Sequence, residues 1–142
     1  MSRSISKTPK SFKLLLAVMV FQSLSGLVGG AALVYDPSGE ILATPVEWLS
    51  GSLFDDYLIP GIILFFVLGV FPVVCAYALW NRQPWSLKAS LLAGMGLIIW
   101  IIVEVMIIGY HASPPLQLIY FIVGIVITIL SLNPASKRFL EM

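Results

Sequence analysis

Four continuous apolar runs, separated by short polar segments, make up most of the chain. They cover approximately residues 14–34, 58–80, 87–110 and 116–132. Each run is close to the roughly 20 residues that an α-helix needs to cross the hydrocarbon core of a bilayer. Apolar and polar positions do not alternate within the runs, which excludes transmembrane β-strands. The pattern therefore predicts an all-α fold, a four-helix transmembrane bundle that forms a single domain over residues 1–142.

The composition agrees with a membrane-embedded chain. Hydrophobic residues make up 59% of the sequence and charged residues only 11%, and the mean hydropathy is +1.00. Soluble domains carry about 25% charged residues.

The first run follows basic residues, as the core of a signal peptide would, but it exceeds the roughly 7–15 residues of such a core, so we expect a retained helix.

The basic residues are distributed unevenly along the chain. All eight precede the first run, lie between the second run and the first turn of the third, or follow the fourth: Arg3, Lys7, Lys10, Lys13, Arg82, Lys88, Lys137 and Arg138. With four spans these regions fall on one side, which the positive-inside rule makes cytoplasmic. The loop between the first two runs has acidic residues and no Lys or Arg. The distribution predicts an N-in/C-in protein with this loop on the extracytoplasmic side.

The loop between the first and second runs carries turn and helix signals. Asp36-Pro37-Ser38-Gly39 is typical of a type I turn. Thr44-Pro45-Val46-Glu47 is typical of a helix start, with Thr44 as the N-cap. Apolar residues follow at helical spacing, so we expect a short amphipathic helix on the outer membrane face, with Trp48 at the level of the lipid headgroups.

Small residues at helical spacing predict close helix contacts. Gly26 and Gly30 form a GxxxG pattern in the first run, and Gly94 and Gly124 lie in the third and fourth. Such residues let helix backbones approach each other in lipid. We expect them to pack helices within the bundle, and a homodimer seam through Gly26 and Gly30 is the alternative.

Pro72 lies inside the second run. An interior proline removes a backbone hydrogen bond and clashes with the preceding turn, which predicts a kink near Leu68. Pro72 is therefore a candidate hinge, with a static kink as the alternative.

Glu104 is the only carboxylate within the four runs. A carboxylate at membrane depth is costly and is a candidate functional residue by default. Its helical spacing places His111 on the same face, and the short turn that follows brings the start of the fourth helix alongside. We expect an outer-leaflet pocket that binds a ligand or proton and is lined by the following residues: Glu104, His111, Gln117 and Tyr120, capped by Asp55 or Asp56. The alternative is a structural, hydrogen-bonded Glu104.

Several kinds of site have no support in the sequence. Cys75 is the only cysteine, which excludes an internal disulfide and a cysteine-cluster metal site. One His and one Glu do not make a zinc site, and the chain has no nucleotide-binding or nucleophile motif and no basic nucleic-acid patch. We therefore expect no metal, no cofactor and no nucleic-acid partner.

The sequence also resembles a pattern in small four-helix bacterial membrane proteins whose activity is uncharacterised. The resemblance rests on these segments: Gly29-Gly30, Asp36-Pro37-Ser38-Gly39, Leu53-Phe54-Asp55-Asp56-Tyr57-Leu58-Ile59-Pro60-Gly61, Gln117-Leu118-Ile119-Tyr120 and Gly124. It implies a bacterial inner-membrane protein with four helices and marks the first loop as the distinctive element. It implies no activity.

Three classes of function stay open at the level of sequence. A non-enzymatic small membrane protein that acts through a lipid or a protein partner is the leading hypothesis. A proton- or cation-coupled carrier, working as a homodimer, would rest on Glu104 and Pro72. A membrane-embedded, lipid-modifying enzyme would rest on Glu104 and His111 as an acid and base.

Overall fold

The computed structural model describes residues 8–111 and 115–141, and all regular structure in that part of the chain is helical. Its helices are α1 (Lys10–Tyr35), α2 (Leu58–Trp80), α3 (Ser86–Ile108), α4 (Leu116–Ser131) and α5 (Pro134–Leu140). By length and composition, α1, α2 and α3 can each cross a membrane. Helices α4 and α5 meet at a bend of 55° and make a fourth span if they are counted together. The fold is thus all-helical, with three or four candidate spans.

The helices are arranged as two pairs. Helix α1 packs along the whole of α2, and α3 packs on α4. The pairs meet where α1 contacts α4 and where α3 contacts residues 66–80 of α2. This arrangement leaves the start of α2, Leu58–Phe65, associated chiefly with α1.

The two ends of the bundle differ in charge. The basic end, formed by the start of α1, the turn between α2 and α3, and the chain after α4, carries the following residues: Lys10, Lys13, Arg82, Lys88, Lys137 and Arg138. The acidic end consists of the long loop (residues 36–57) and the turn between α3 and α4. Arg3 and Lys7 lie outside the described residues.

The basic end is tightly packed. A continuous cluster of buried side chains joins all five helices there: Phe12, Leu15, Met19, Cys75, Leu79, Ala89, Ala93, Ile127 and Phe139. The Phe139 ring of α5 lies 5.1 Å from the Phe12 ring. The Arg82 guanidinium lies over the Phe139 ring, 4.8 Å from its centroid. Helix α5 therefore closes the basic end of the bundle.

Glycines set the contact between α1 and α2. A Cβ atom on Gly26 would overlap the backbone carbonyl of Leu68, and one on Gly30 would lie 2.6 Å from the Cβ of Phe65. The GxxxG face of α1 is therefore covered by α2 of the same chain. A homodimer seam through Gly26 and Gly30 would need this same face, so the structure does not leave it available.

The contact between α3 and α4 also depends on glycine. A Cβ on Gly94 would lie 2.6 Å from Thr128 Oγ1, and one on Gly124 would lie 2.8 Å from Ile98 Cγ1. These two small residues bring the helix backbones close together, as small residues do in membrane bundles.

Helix α2 contains a π-bulge at Phe66–Val70, in which the Phe71 N–H donates to the Phe66 carbonyl. Pro72 follows and has no N–H to donate to the carbonyl of Leu68, four residues before it. The side chain of Gln22 in α1 supplies the donor, with Nε2 3.1 Å from the Leu68 oxygen. The irregular backbone thus lies around Leu68, and a neighbouring helix satisfies the carbonyl that proline leaves free.

The long loop is less helical than its sequence predicts. The turn at its start forms, because the Gly39 N–H donates to the Asp36 carbonyl (3.1 Å) and Gly39 adopts a φ of 80°. The expected amphipathic helix is only a 3₁₀ turn, Val46–Leu49. Thr44 does not cap it, since its hydroxyl donates to the Gly39 carbonyl instead (3.2 Å).

Candidate functional site

A cavity of about 690 Å³ lies in the acidic half of the bundle, between the two helix pairs. Its walls are mostly apolar and include Leu64 and Leu68 of α2 and Leu97 and Ile101 of α3. The long loop contributes the covering side chains Leu42, Leu49, Phe54 and Tyr57. The volume is within the range of about 300–1,000 Å³ that small-molecule sites occupy.

The cavity arises because the helix pairs separate toward the acidic end. Helix α3 contacts α2 through the π-bulge and the turns after it, whereas Leu58–Phe65 follows α1. Leu68, Leu97 and Ile101 pack together at the level where the pairs still meet. A second cluster, centred on Leu49 in the long loop, packs against the end of α3 and covers the cavity at the acidic end of the bundle.

Glu104 is the only charged side chain among the described residues that line the cavity. The Gln117 amide donates to its Oε2 atom at 3.4 Å and to the Gly109 carbonyl at 3.0 Å. The Gln117 carbonyl accepts the backbone N–H of His111 at 2.7 Å. The buried Gln117 side chain thus ties the end of α3 to the start of α4 and holds Glu104 at the cavity wall.

His111 differs from its predicted position. Helix α3 ends at Ile108 because Gly109 adopts a φ of 81°, so His111 lies beyond the helix instead of on the Glu104 face. Its ring Nε2–H donates to the Ile108 carbonyl (2.7 Å), and the ring stacks on Trp48 with centroids 3.7 Å apart. His111 therefore fastens the long loop to the end of α3 and does not line the cavity. Trp48, in turn, lies against this ring, and its position at the level of the lipid headgroups stays a prediction.

Tyr120 lines the cavity, as expected, and its ring stacks on Phe21 of α1 at 6.0 Å. Asp55 and Asp56, predicted to cap the cavity, are not among the residues that line it. Both are exposed, and Asp56 Oδ1 accepts the Leu58 N–H at 3.0 Å at the start of α2. Ionised carboxylates keep their hydration where they can, so apolar neighbours in the loop take the inward positions.

Tyr57 is the neighbour that turns inward next to Asp56. It is buried under the loop, and its hydroxyl donates to the Pro45 carbonyl at 3.1 Å. Burial raises the pKa of the Tyr57 hydroxyl above its ordinary value. The phenol therefore anchors the 3₁₀ turn as a neutral hydrogen-bond donor.

Gln22 of α1 also lines the cavity. It lies in an apolar run, and a side-chain amide there is most simply interpreted as a contact between helices. Its side chain is 3% exposed, its Nε2 is bound to Leu68, and its Oε1 has no hydrogen-bond partner among the described residues. One lining side chain therefore carries a buried acceptor that has no partner among the described residues.

Pro72, the candidate hinge, is buried just after the π-bulge and does not line the cavity. Pro72 affects the cavity wall indirectly, because the Leu68 carbonyl, which receives no N–H from Pro72, binds the Gln22 side chain instead. That Pro72 acts as a hinge stays a prediction.

Within residues 8–111 and 115–141, no group of three or more His, Cys, Asp or Glu side chains is placed to hold a metal ion. Comparisons of the chain with protein-family models, with curated proteins and with solved structures find no match.

Proposed function

We propose that this protein is a multi-pass protein of the bacterial inner membrane that binds a lipid-like molecule in the cavity between its helix pairs. It acts by binding, through the bilayer or through a membrane-protein partner, and not by catalysis. The observation that carries the proposal is the cavity itself: an apolar space of about 690 Å³ with its polar groups confined to a few positions. Ligand sites have this composition.

The charge distribution supports an orientation with both termini in the cytoplasm. The six basic residues of the basic end lie opposite the long loop, which has acidic residues and no Lys or Arg. The positive-inside rule then places the basic end in the cytoplasm and the cavity in the outer half of the membrane. The resemblance to small bacterial membrane proteins supports the same membrane.

A proton- or cation-coupled carrier is the second candidate, since Glu104 faces the cavity and Pro72 lies beside a π-bulge. A homodimeric carrier would have to associate through a face other than Gly26 and Gly30. The third hypothesis, a lipid-modifying enzyme, has less support because His111 is engaged with Trp48 and the Ile108 carbonyl.

Native mass spectrometry of the detergent-extracted protein tests the proposal. Gly29 lines the cavity, and a Cβ there would meet only the Leu64 side chain, at 3.3 Å. Gly29→Leu therefore adds an apolar side chain to the cavity wall at a position where the Cβ has room. Gly96 is the matched control, because a Cβ there meets nothing within 4 Å and Gly96 does not line the cavity.

We expect wild type and Gly96→Leu to retain a bound lipid-like molecule that Gly29→Leu has lost. Equal retention by all three proteins would contradict binding in the cavity.

A further inference from the structure

The polar side chains that line the cavity are few, and they include both hydrogen-bond donors and acceptors. Several donors are already engaged within the protein: the Tyr57 hydroxyl with Pro45, the Thr44 hydroxyl with Gly39, and the Gln117 amide with Gly109 and Glu104. No Lys, Arg or His is among the described lining residues, and Glu104 supplies the one charge. The lining is therefore electrostatically suited to a positively charged group.

Gln22 gives an independent indication of the same kind. The orientation of its amide is set by the Leu68 carbonyl, which can only accept a hydrogen bond and therefore binds Nε2. This leaves Oε1 as a buried acceptor without a partner among the described residues, in a side chain that lines the cavity. A buried polar atom without a partner is destabilising, and a ligand whose donor reaches Oε1 would relieve that cost.

Resting on the function proposed above, we infer that the ligand is an amphiphile whose polar part is an ammonium group. Glu104 binds the charge, the Gln22 carbonyl oxygen accepts a further N–H or O–H of the ligand, and the apolar body lies along Leu64, Leu68 and Leu97. Two sources share this chemistry: an ethanolamine lipid headgroup and a small hydrophobic amine.

Matched probes separate the charge from the apolar body. The first arm measures binding of 4-phenylbutylamine and 4-phenylbutanol to the detergent-extracted protein by saturation-transfer NMR. The second arm compares dioleoyl-phosphatidylethanolamine with dioleoyl-phosphatidylglycerol by native mass spectrometry, since only the former carries an ammonium group. Gly29→Leu and Gly96→Leu report whether each probe binds in the cavity.

We expect wild type to bind the amine about tenfold more tightly than the alcohol, since hydrogen bonds to charged groups are the stronger ones. Glu104→Gln, which keeps the shape and removes the charge, is expected to abolish this preference for the amine. A preference for the ethanolamine lipid identifies a headgroup as the source, and a preference confined to the small amine identifies a free amine.

Equal binding of amine and alcohol, with equal binding of the two lipids, would overturn the ammonium inference. If Gly29→Leu still blocked both probes, the proposed function would stand. Probe binding that Gly29→Leu does not alter would instead contradict the cavity as a site, and with it the proposed function. If Glu104→Gln lost alcohol binding through misfolding, the selectivity of wild type would still decide the question.

Discussion

At the scale of single residues, Pro72 and Gln22 form a compensated pair. Proline removes the donor that the Leu68 carbonyl would otherwise have, and the Gln22 amide, 46 residues earlier in the chain, replaces it. Membrane helices tolerate proline where neighbouring groups satisfy the freed backbone in this way. The same bond fixes the orientation of the Gln22 side chain, which lines the cavity.

This pairing predicts a coupling between two substitutions. Gln22→Leu is expected to lower the free energy of unfolding by about 1 kcal/mol, because the Leu68 carbonyl loses its donor in an apolar surrounding. In a Pro72→Ala background the restored backbone N–H can serve the carbonyl, so the same change is expected to cost less. Denaturant unfolding in mixed micelles of the four proteins measures the coupling. An equal cost of Gln22→Leu in both backgrounds would contradict it.

The sequence predicts these residues unevenly, for physical reasons. A disturbance near Leu68 is foreseeable because the effect of a proline is local. The contact between Glu104 and Gln117 is foreseeable because a short turn joins their helices. The bond from Gln22 depends on the register between α1 and α2, which local sequence does not define. The His111 prediction was wrong because Gly109, a residue type that commonly ends helices, ends α3 earlier.

At the scale of elements, the apolar runs predict where helices occur, and glycines determine how they pack. Four helices correspond to the predicted runs. Of these, α2, α3 and α4 begin and end near the edges of their runs, while α1 begins earlier than its run, at Lys10. The long loop is the element least predictable from sequence. Its 3₁₀ turn is held by the Tyr57 hydroxyl and by the stack of Trp48 on His111, and both are long-range contacts.

The glycine contact predicts a large difference between two identical substitutions. Gly26→Ala places a methyl group against the backbone of Leu68 and Gly69, which cannot yield as a flexible side chain can. We expect a loss of at least about 1–3 kcal/mol in the free energy of unfolding, as for overpacked cores. Gly96→Ala has open space and is expected to be neutral or to stabilise the helix by up to about 1 kcal/mol. Thermal unfolding in detergent compares the two, and equal midpoints would show that α1 and α2 do not meet at Gly26.

At the scale of the whole molecule, the two ends of the bundle have different properties. The basic end is filled by a continuous buried core, and the acidic end separates into two helix pairs around a cavity. Charge and hydropathy along the sequence predict the helices and the two ends. They do not predict the cavity, because its volume depends on how far the pairs diverge.

The proposed orientation predicts which end reacts with an impermeant thiol reagent in whole cells. Cys75 is fully buried, so cysteines introduced elsewhere can be labelled selectively. Leu53→Cys, in the long loop and 96% exposed in wild type, is expected to react with an impermeant maleimide. Glu141→Cys, after α5, is expected to react only once the cells are broken. Labelling of Glu141→Cys in intact cells would contradict the N-in/C-in orientation.

The central claim is that a lipid-like molecule occupies the cavity, and contact between its chain and the cavity wall tests this most directly. Leu64 lines the cavity and is partly exposed, so a molecule in the cavity can contact its methyl groups. Leu92 is 64% exposed and marks bulk lipid, while Leu79 is fully buried away from the cavity.

The measurement is the nuclear Overhauser effect between leucine methyl groups and lipid acyl-chain protons, with the protein otherwise deuterated. The account predicts cross-peaks from Leu64 and Leu92 and none from Leu79, with that of Leu64 lost in Gly29→Leu and kept in Gly96→Leu. Cross-peaks from Leu92 alone would show that lipid does not enter the cavity.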